Sequence, residues 1–523
     1  MTQHFSITNK FEFELNATGI VNHIRRQLKQ KIPQWQKMIA RNTYQFDEIE
    51  RETMAFGREI SGYLTAVVLD SEEAKEAIDK EATRIRKKSP QKLRNVYREG
   101  RKITLLSGLV LVVSSLYCVP RQPKKKRGKR KTKRGKEGVG IYPEWAALGI
   151  SEGASPALRE EVARNAVLMP SFGLAHEELS HHGIGINLKT TWRLTNELGQ
   201  QALSYRREEL EKWQRGELPA GDYVTGKTLA VSVDGGRTRT RVPRKRGRKT
   251  KKNRDRFDTP WREPKLMTIY LVGPDGKIDN QTEKIIEGTM QGPDHLMDLV
   301  AYHLHRFGAT KAKRIVFLGD GADWIWNRYP RVIDRVGIER NRCLFSLDPC
   351  HAMSHIAEAL KSMKGWDKKQ RKKEQTRLKG LLLKGKVEKV LEYLGGLRGR
   401  KRKGDIVDAI AYLKKRIGLM DYGRLKRLKV PIGSGSIESA IRRVINLRIK
   451  NPGSFWEEEN AERMMHLRAQ RLSNHWEEML HSVKRYSRYT RNHREDWNPT
   501  PYSLEEPGNS QLNIKPLLKS WKK

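Results

Sequence analysis

The sequence predicts a multidomain protein of the mixed α/β class, in which helical regions precede a mixed β-sheet. The length of 523 residues exceeds what one ordinary hydrophobic core accommodates. From Leu229 onward, short apolar runs that end in Asp-Gly alternate with segments of helical periodicity, as in α/β domains. The N-terminal stretches before Lys88, by contrast, show helical periodicity alone. These observations predict a helical N-terminal part followed by an α/β core.

The predicted organisation consists of consecutive segments with different roles. In chain order they are a helical N-terminal region (1–90), a β-hairpin with a basic loop (91–141), a helix-turn-helix-like region (142–215), the first part of the α/β core (222–348), a basic helical insertion (349–430), the final helices of the core (431–480) and a basic C-terminal tail (481–523).

An apolar segment from Ile103 to Val119 follows the N-terminal helices. It is shorter than the ~20 residues that a membrane-spanning helix needs, and Ser107 and Ser115 interrupt it. We therefore predict a buried β-hairpin and no membrane partner. The chain start shows no secretion signal and the cysteines form no CxxC pair, so a cytoplasmic, reducing location is expected.

The region 142–215 has the spacing of a helix-turn-helix unit. Two helical patterns are separated from a third by a turn at Gly183 to Asn187, and the third would present Thr190, Arg193 and Asn196 on one helix. One interpretation is a recognition helix in the major groove of DNA. The alternative is a generic three-helix packing unit.

Two acidic residues follow predicted buried strands. Asp234 ends the apolar run that begins at Leu229, and Asp320 follows the run from Arg314 to Leu318, each next to glycine. Neighbouring strand ends would present these carboxylates side by side. The alternative for either residue alone is an ordinary turn acid.

A third acid, Glu438, lies near the predicted start of a helix. The sequence GSGS precedes Ile437 and an apolar stripe at helical spacing, so a serine N-cap is expected and Glu438 falls in the first turn. Three converging carboxylates would repel one another unless a cation neutralised them. Oxygen ligands favour magnesium, and the sequence predicts two Mg²⁺ (or Mn²⁺) ions held by Asp234, Asp320 and Glu438.

The net charge indicates a polyanionic partner. Lys and Arg number 105 against 61 Asp and Glu, which gives a net charge of +44 at pH 7. Nucleic acid is the partner that best satisfies such a charge. Basic blocks lie at Gln122 to Lys136 and at Arg239 to Arg256, and the second follows Asp234 directly. We predict that Arg244, Lys245 and Arg248 contact DNA phosphates from a loop beside the metal site.

The chain resembles the bacterial insertion-sequence transposases of the ISKra type, which are DDE transposases with a ribonuclease-H-like catalytic domain. The resemblance covers most of the chain and follows the order strand-Asp, two strands, helix, strand-Asp, helical insertion, helix-Glu. Its motifs are VSVDGG at Asp234, GDGADWIW at Asp320, LDPCHAMSH with Asp348 and His351, and IGSGSIESA at Glu438.

This resemblance implies a DNA transposase that binds the ends of an insertion sequence and catalyses metal-dependent strand cleavage and strand transfer. It assigns the metal-binding roles to Asp234, Asp320 and Glu438. It adds His351, which would contact the scissile phosphate or stabilise the active conformation, with a helix-capping or core histidine as the alternative. The implied partners are double-stranded DNA and further copies of the chain, at the nucleoid of a bacterial cytoplasm.

Two other functions remain open on the sequence. A non-catalytic DNA-binding protein derived from a transposase would keep the helix-turn-helix and the basic loops without cleavage. A P-loop ATPase acting on DNA would use the segment from Gly221 to Thr228, which has P-loop spacing with Lys227. The predicted strand after this segment disfavours the second alternative, because a P-loop opens a helix.

Overall fold

The computed structural model describes residues 5–89, 92–120, 140–244, 256–398 and 404–490. The chain is a mixed α/β protein that divides into two compact units. Within the described residues, the first unit comprises 5–201 and 480–490 and the second comprises 202–479. Each unit is described by itself below.

The first unit is mostly helical and includes a small sheet. Its elements in chain order are β1 (Ser6–Ile7), α1 (Ala17–Arg41), α2 (Phe46–Asp70), α3 (Glu72–Lys88), β2 (Leu93–Thr104), β3 (Val110–Pro120), α4 (Pro143–Leu148), α5 (Pro156–Leu168), α6 (Phe172–His181) and α7 (Leu188–Gln214), the last of which continues into the second unit.

The apolar segment after the N-terminal helices is a β-hairpin, as predicted. Strands β2 and β3 pair antiparallel, and β1 adds to the outer edge of β3. Leu111 and Val113 point from β3 into a core that also contains Phe5. In the part of the chain that the structure describes, no helix has both the length and the apolar character needed to cross a membrane.

Helices α5, α6 and α7 form the predicted helical set after the hairpin. Ser155 and Ser171 cap the first two helices by accepting hydrogen bonds from the backbone N–H groups of Leu158 and Leu174. Asn187 caps α7 in the same way. The helices therefore begin where the sequence placed them, because each start carries a side chain that satisfies an otherwise unpaired N–H group.

The second unit contains a central sheet with a helical insertion. Its elements are β4 (Thr228–Gly235), β5 (Thr238–Arg239), β6 (Val242–Pro243), β7 (Phe257–Asp258), β8 (Trp261–Arg262), β9 (Lys265–Leu271), β10 (Lys284–Thr289), α8 (Pro293–Phe307), β11 (Arg314–Gly319), α9 (Asp323–Trp326), α10 (Tyr329–Val336), β12 (Cys343–Leu347), α11 (Pro349–Lys361), α12 (Lys368–Leu383), α13 (Val387–Arg398), α14 (Gly404–Lys415), α15 (Tyr422–Arg427), α16 (Gly435–Ile441), α17 (Glu458–Leu472) and α18 (Trp476–Thr490), which continues into the first unit.

The five strands of the central sheet have the order β10-β9-β4-β11-β12. The neighbours β4, β11 and β12 are parallel, whereas β9 and β10 run antiparallel. Side chains on both faces of these strands are buried, which explains their nearly continuous apolar runs. The parallel strands consequently bring their carboxyl ends, and the residues that follow them, to one edge of the sheet.

Two local predictions differ from the structure. The sequence from Ala322 to Val336 predicts a single helix, whereas the structure has two, α9 and α10, with Pro330 in the first turn of the second. A proline there has no N–H for the preceding helix to use, so the helix restarts. The basic block after Asp234 is not simply a loop, since its flanks pair as β5 with β8 and as β6 with β7. We call residues 237–244 and 256–262 the β-ribbon.

The segment with P-loop spacing leads into a strand. Lys227 precedes β4, whose first residue is Thr228, and its ammonium group lies over the ring of Tyr223. A phosphate-binding P-loop requires a helix at this position, so this context does not support nucleotide binding.

Candidate functional site

Three aspartates form a row across the carboxyl ends of the parallel strands. The register pairs Leu318 with Ser232, and two further residues along each chain place Asp320 opposite Asp234. Gly319 pairs with Leu347 on the other side, so the next residue places Asp320 opposite Asp348. Because paired strands lie about 4.8 Å apart, the row is compact. We call Asp234, Asp320 and Asp348 the aspartate row.

Asp234 and Asp320 repel one another. Burial and the negative charge of Asp320 raise the pKa of Asp234 from 3.8 to about 6. Each carboxylate accepts one hydrogen bond from a nearby backbone, Asp234 from Gly235 at 2.6 Å and Asp320 from Ala322 at 2.8 Å. The row therefore contains a partly buried acidic pair whose mutual repulsion is not fully relieved.

Asp348 is held differently from its neighbours in the row. Its carboxylate accepts hydrogen bonds from the backbone N–H groups of Cys350 at 2.6 Å and Ser434 at 2.5 Å, and from the Ser434 hydroxyl at 2.6 Å. Burial alone would raise the pKa of Asp348, but these hydrogen bonds outweigh burial and lower it. Asp348 thus caps α11 and fixes the start of α16, which makes it a positioning residue.

Glu438 lies in the first turn of α16, as predicted, and its side chain is exposed. The N-cap is Ser434, although its hydroxyl donates to Asp348 and does not cap the helix N–H groups. Ser436 lies nearby and its hydroxyl donates to Thr268 of β9 at 3.1 Å, which ties α16 to the sheet. The Glu438 carboxylate raises the pKa of Cys350, so it lies within electrostatic range of the start of α11.

The expected convergence of Asp234, Asp320 and Glu438 is not seen in the described residues, where only Asp234 and Asp320 lie opposite each other on adjacent strands. Across the described ranges, no group of three or more His, Cys, Asp or Glu side chains lies close enough together to hold a metal ion. Asp234 and Asp320 nevertheless have the chemistry that a hard divalent cation requires, because they are adjacent carboxylates whose mutual repulsion a cation would remove. The pair fits magnesium or manganese, and Glu438 stands apart from it.

His351 lies in the first turn of α11, beside the aspartate row. A positive charge on its ring lowers the pKa values of both Asp234 and Asp348, which places the imidazole within electrostatic range of both carboxylates. The cap of α11 is Asp348, so His351 is not the capping residue. His351 therefore lies beside the aspartate row, and its role at a phosphate stays a prediction.

Sequence reasoning missed two charged residues at the other side of Asp234. The buried ammonium group of Lys265 pairs with Glu263 at 2.6 Å and lies 4.4 Å from the centre of the Trp324 ring. Glu263 also raises the pKa of Asp234. The segment WREPKL contains no periodic or glycine signal that would mark these residues, and only the pairing of β9 with β4 brings them beside Asp234.

Residues of the helical insertion bind the turn that follows Asp320 through hydrogen bonds and ion pairs. Arg416 donates to the carbonyl oxygen of Gly321 at 2.9 Å and to the carboxylate of Asp323 at 2.9 Å, and Lys415 pairs with the same carboxylate at 2.6 Å. Tyr412 of the same helix stacks on His355 with ring centroids 3.6 Å apart. Helix α14 therefore sets the position of the Asp320 turn.

Replacing Gly321 with Ala is expected to displace this turn. A Cβ atom at Gly321 would overlap the hydroxyl and ring of Tyr412, which the stacking on His355 holds in place. In the DNA cleavage that the resemblance implies, a shift of about 1 Å at Asp320 would lower the rate about 100-fold. The comparison is Gly395→Ala in α13, where a Cβ atom meets nothing within 4 Å and activity should not change. Equal rates for the two variants in a nicking assay would contradict the positioning role of α14.

The predicted contacts on α7 differ in their exposure. Arg193 is exposed and pairs with Glu152 at 3.1 Å, and Thr190 is partly exposed in the first turn. Asn196 is buried, with 7% of its surface exposed, and its side chain donates to the carbonyl oxygen of Trp192. Asn196 therefore does not lie on the exposed face of α7, whereas Trp192 does and was missed.

The predicted phosphate contacts after Asp234 fall at the end of the β-ribbon. Arg244 is exposed and pairs with Asp258, and its backbone N–H donates to Arg256. Lys245 and Arg248 lie outside the residues that the structure describes.

Comparisons of the chain with protein-family models and with curated proteins give no match.

Proposed function

We propose that the chain is a DNA transposase of the DDE type, which binds the ends of an insertion sequence and catalyses metal-dependent strand cleavage and strand transfer. The observation that carries the proposal is the pair Asp234 and Asp320, in register at the carboxyl ends of adjacent parallel strands. Ligand sites of α/β sheets lie at this edge. The order of elements, with Glu438 on a helix after a helical insertion, supports a ribonuclease-H-like catalytic domain.

The proposed metal ligands are Asp234, Asp320 and Glu438. Two Mg²⁺ or Mn²⁺ ions would, when bound, neutralise the carboxylates and stabilise the attacking and leaving oxygens of an in-line displacement at phosphorus. Glu438 would join the pair when DNA is bound, since its exposed side chain in the first turn of α16 is free to change conformation. His351 would contact the scissile phosphate from the start of α11.

Two reactions follow one another in this proposal. Hydrolysis of a phosphodiester at the element end exposes a 3′ hydroxyl, and that hydroxyl then attacks a phosphodiester of the target DNA in line. Neither reaction needs a covalent bond to the protein. The same acidic pair therefore serves both steps.

The basic surface supports a DNA partner. A chain with a net charge of +44 attracts polyanions such as DNA. The arginines of the β-ribbon begin at Arg237, three residues after Asp234. Arg193 and Thr190 of α7 would add contacts from the helix-turn-helix-like region. Lys245 and Arg248 belong to the same proposal by their sequence position.

We also propose that several copies of the chain act together on DNA. Helix α1 has an apolar stripe at helical spacing, formed by Val21, Ile24, Leu28 and Ile32, along a cavity of about 680 Å³. Val21 and Ile32 are exposed. Such a stripe matches the pattern of a helix that packs against another helix.

A non-catalytic DNA-binding protein is the second candidate. The exposed position of Glu438, away from the acidic pair, favours it, because a protein that only binds DNA does not need the third carboxylate at the metal. Such a protein would keep the β-ribbon and α7 as its contacts.

The test is a nicking assay on a duplex that carries an element end, with Mg²⁺ or Mn²⁺. Asp234→Ala, Asp320→Ala and Glu438→Ala should each abolish cleavage while DNA binding persists. Asp275→Ala is the matched control and should leave cleavage intact, since this exposed turn acid contacts Lys277, through its backbone N–H at 3.0 Å and its ammonium group at 3.9 Å, and lies outside the aspartate row. Cleavage retained by all three variants would contradict the assignment of these acids as metal ligands. No cleavage by the unaltered protein with either metal would favour the second candidate.

A further inference from the structure

The β-ribbon carries arginines on one face and aromatic rings against them. Arg237, Arg239 and Arg241 alternate with Thr238 and Thr240, and the threonines are buried with 1% and 0% of their surface exposed. Because side chains alternate along a strand, the arginines all point outward. The guanidinium groups of Arg237 and Arg239 lie 4.4 and 4.8 Å from the centre of the Trp261 ring.

A second aromatic site continues this face. The Arg241 guanidinium lies 4.8 Å from the centre of the Phe257 ring, and Phe257 packs beside Phe455 at 5.9 Å. Trp261, Phe257 and Phe455 are exposed by 44%, 37% and 38%. Exposed aromatic rings and stacked arginines therefore alternate along one surface.

Backbone hydrogen bonds to neighbouring segments hold the β-ribbon in place. The backbone N–H of Arg241 donates to the carbonyl oxygen of Trp456 at 2.7 Å, and Thr240 forms a bridge with the same residue. At its root, Gly236 donates to the carbonyl oxygen of Pro264 at 2.7 Å. These bonds hold the aromatic rings near Asp234, because Arg237 follows it by three residues and lies within about 11 Å along the chain.

We infer that the β-ribbon binds unpaired nucleotides of single-stranded DNA, with bases stacked on Trp261 and Phe257 and phosphates bound by Arg237, Arg239 and Arg241. A guanidinium group that lies over an aromatic ring still has N–H groups available for phosphate. Within the described residues these three arginines form no ion pair with a carboxylate, whereas Arg244 and Arg262 do. Exposed ring faces can stack with unpaired bases of a single strand. They cannot stack in the same way with the bases of duplex DNA, which are already stacked on one another.

This inference rests on the proposed function for its DNA ligand, but it concerns binding and not cleavage. The part of the substrate beside the acidic pair would be a strand end whose bases have left the duplex. A test in EDTA separates the two, since the ribbon would bind single strands without any metal.

The experiment measures fluorescence anisotropy of the full-length protein with a labelled single-stranded DNA of about 15 nucleotides and with the matching duplex. Trp261→Ala and Phe257→Ala should each weaken single-strand binding roughly 5- to 100-fold. Trp261→Phe, which keeps a ring, should restore most of the affinity. Duplex binding should change little, and the salt dependence should keep its slope because no charge is lost.

Tyr44→Ala is the matched control, since Tyr44 is an exposed aromatic residue outside the ribbon, with 91% of its surface accessible. Arg239→Gln should reduce both the affinity and its salt dependence. Equal losses of single-strand and duplex binding in Trp261→Ala, or unchanged single-strand binding in both ring variants, would overturn the inference. Stronger binding of the ribbon to an RNA strand of the same sequence would overturn the assignment to DNA.

Discussion

Replacing Asp234 with Asn is expected to stabilise the metal-free protein at about pH 8 and to abolish DNA cleavage. Burial and the charge of Asp320 raise the pKa of Asp234 from 3.8 to about 6, so the ionised carboxylate is disfavoured in the folded state. Asn removes that charge and keeps the shape. The free energy of unfolding should rise by about 1 to 2 kcal/mol, which allows for solvent screening at a partly exposed group.

The sign of the pH dependence is specific to this raised pKa. Below about pH 4 the carboxyl is protonated in both folded and unfolded chains, and the variant has no advantage. Between about pH 4 and 6 the unfolded chain ionises first, so the unaltered protein loses stability relative to the variant. Above that range the difference is constant. Urea unfolding in EDTA at about pH 4 and 8 measures it.

Asp348→Asn is the matched control, because this neighbour in the aspartate row should change stability in the opposite direction. Its hydrogen bonds lower the pKa, so its contribution is present above pH 3.8 and is lost as the pH falls through the folded-state value. Asn at 348 should cost about 1 to 3 kcal/mol at neutral pH. Destabilisation by Asp234→Asn in EDTA at about pH 8 would contradict the repulsive pair.

Metal should reverse the order of stability. Mg²⁺ should stabilise the unaltered protein and leave Asp234→Asn nearly unchanged, since binding to the folded state alone raises its stability. Cleavage by the variant should fall roughly 100- to 10,000-fold, which corresponds to several kcal/mol of lost charge stabilisation at phosphorus. A carboxylate that costs stability without its ligand and is required with it is typical of a binding site.

The strands that carry the acids were predictable because burial on both faces produces an unbroken apolar run. Strand β12 begins at Cys343 and ends at Leu347, as the sequence indicated, and Asp348 follows it. The row itself required the register, which pairs Leu318 with Ser232 and Gly319 with Leu347. Sequence patterns predict which residues end each strand, but they do not predict the register between neighbouring strands.

The β-ribbon was missed for a local reason. Its strands are two residues each, too short for alternation to show, and lysines and arginines dominate the block between them. Trp261 meets Arg239 only through the pairing of β5 with β8. The burial of Asn196 was missed because a polar side chain on α7 can satisfy itself with the Trp192 carbonyl oxygen. The polarity of the local sequence therefore does not predict the β-ribbon or the burial of Asn196.

Replacing Arg206 with Met is expected to destabilise the second unit by about 3 to 5 kcal/mol. Arg206 of α7 donates to Glu287 of β10 at 2.9 Å, to the carbonyl oxygen of Gly288 at 2.9 Å, and to Glu462 of α17 at 2.6 Å. Only 1% and 0% of the two glutamate side chains are exposed. Without the guanidinium, two buried carboxylates lose their shared counter-charge.

Nothing in the local sequence indicates this network, since its partners lie 81 and 256 residues away from Arg206. His466 also contacts both carboxylate oxygens of Glu287, at 3.1 and 3.0 Å. Burial would raise the pKa of Glu287, but the charges of His466 and Arg206 outweigh burial and lower it. In Arg206→Met the shift of the Glu287 pKa should be reduced or reversed.

The pH dependence distinguishes a lost charge from lost packing. In the unaltered protein the lowered pKa of Glu287 makes a contribution that is present above the unfolded value of 4.5. In Arg206→Met the buried carboxylate of Glu287 loses a counter-charge and favours protonation, so the loss of stability should shrink as the pH falls from about 8 to 5. Hydrogen exchange at β10, an edge strand that pairs with β9, reports the opening of this unit.

A charge-neutral replacement provides the control. Combining Arg206→Met with Glu287→Gln and Glu462→Gln removes all three charges, and much of the lost protection at β10 should return because no buried carboxylate remains unpaired. Arg206→Lys keeps the charge but lacks the planar guanidinium fork that reaches Glu287 and Glu462 through separate nitrogens, so its cost should be intermediate. If the neutral triple variant is no more protected than Arg206→Met, then the cost arises from packing of the Arg206 side chain and not from its charge.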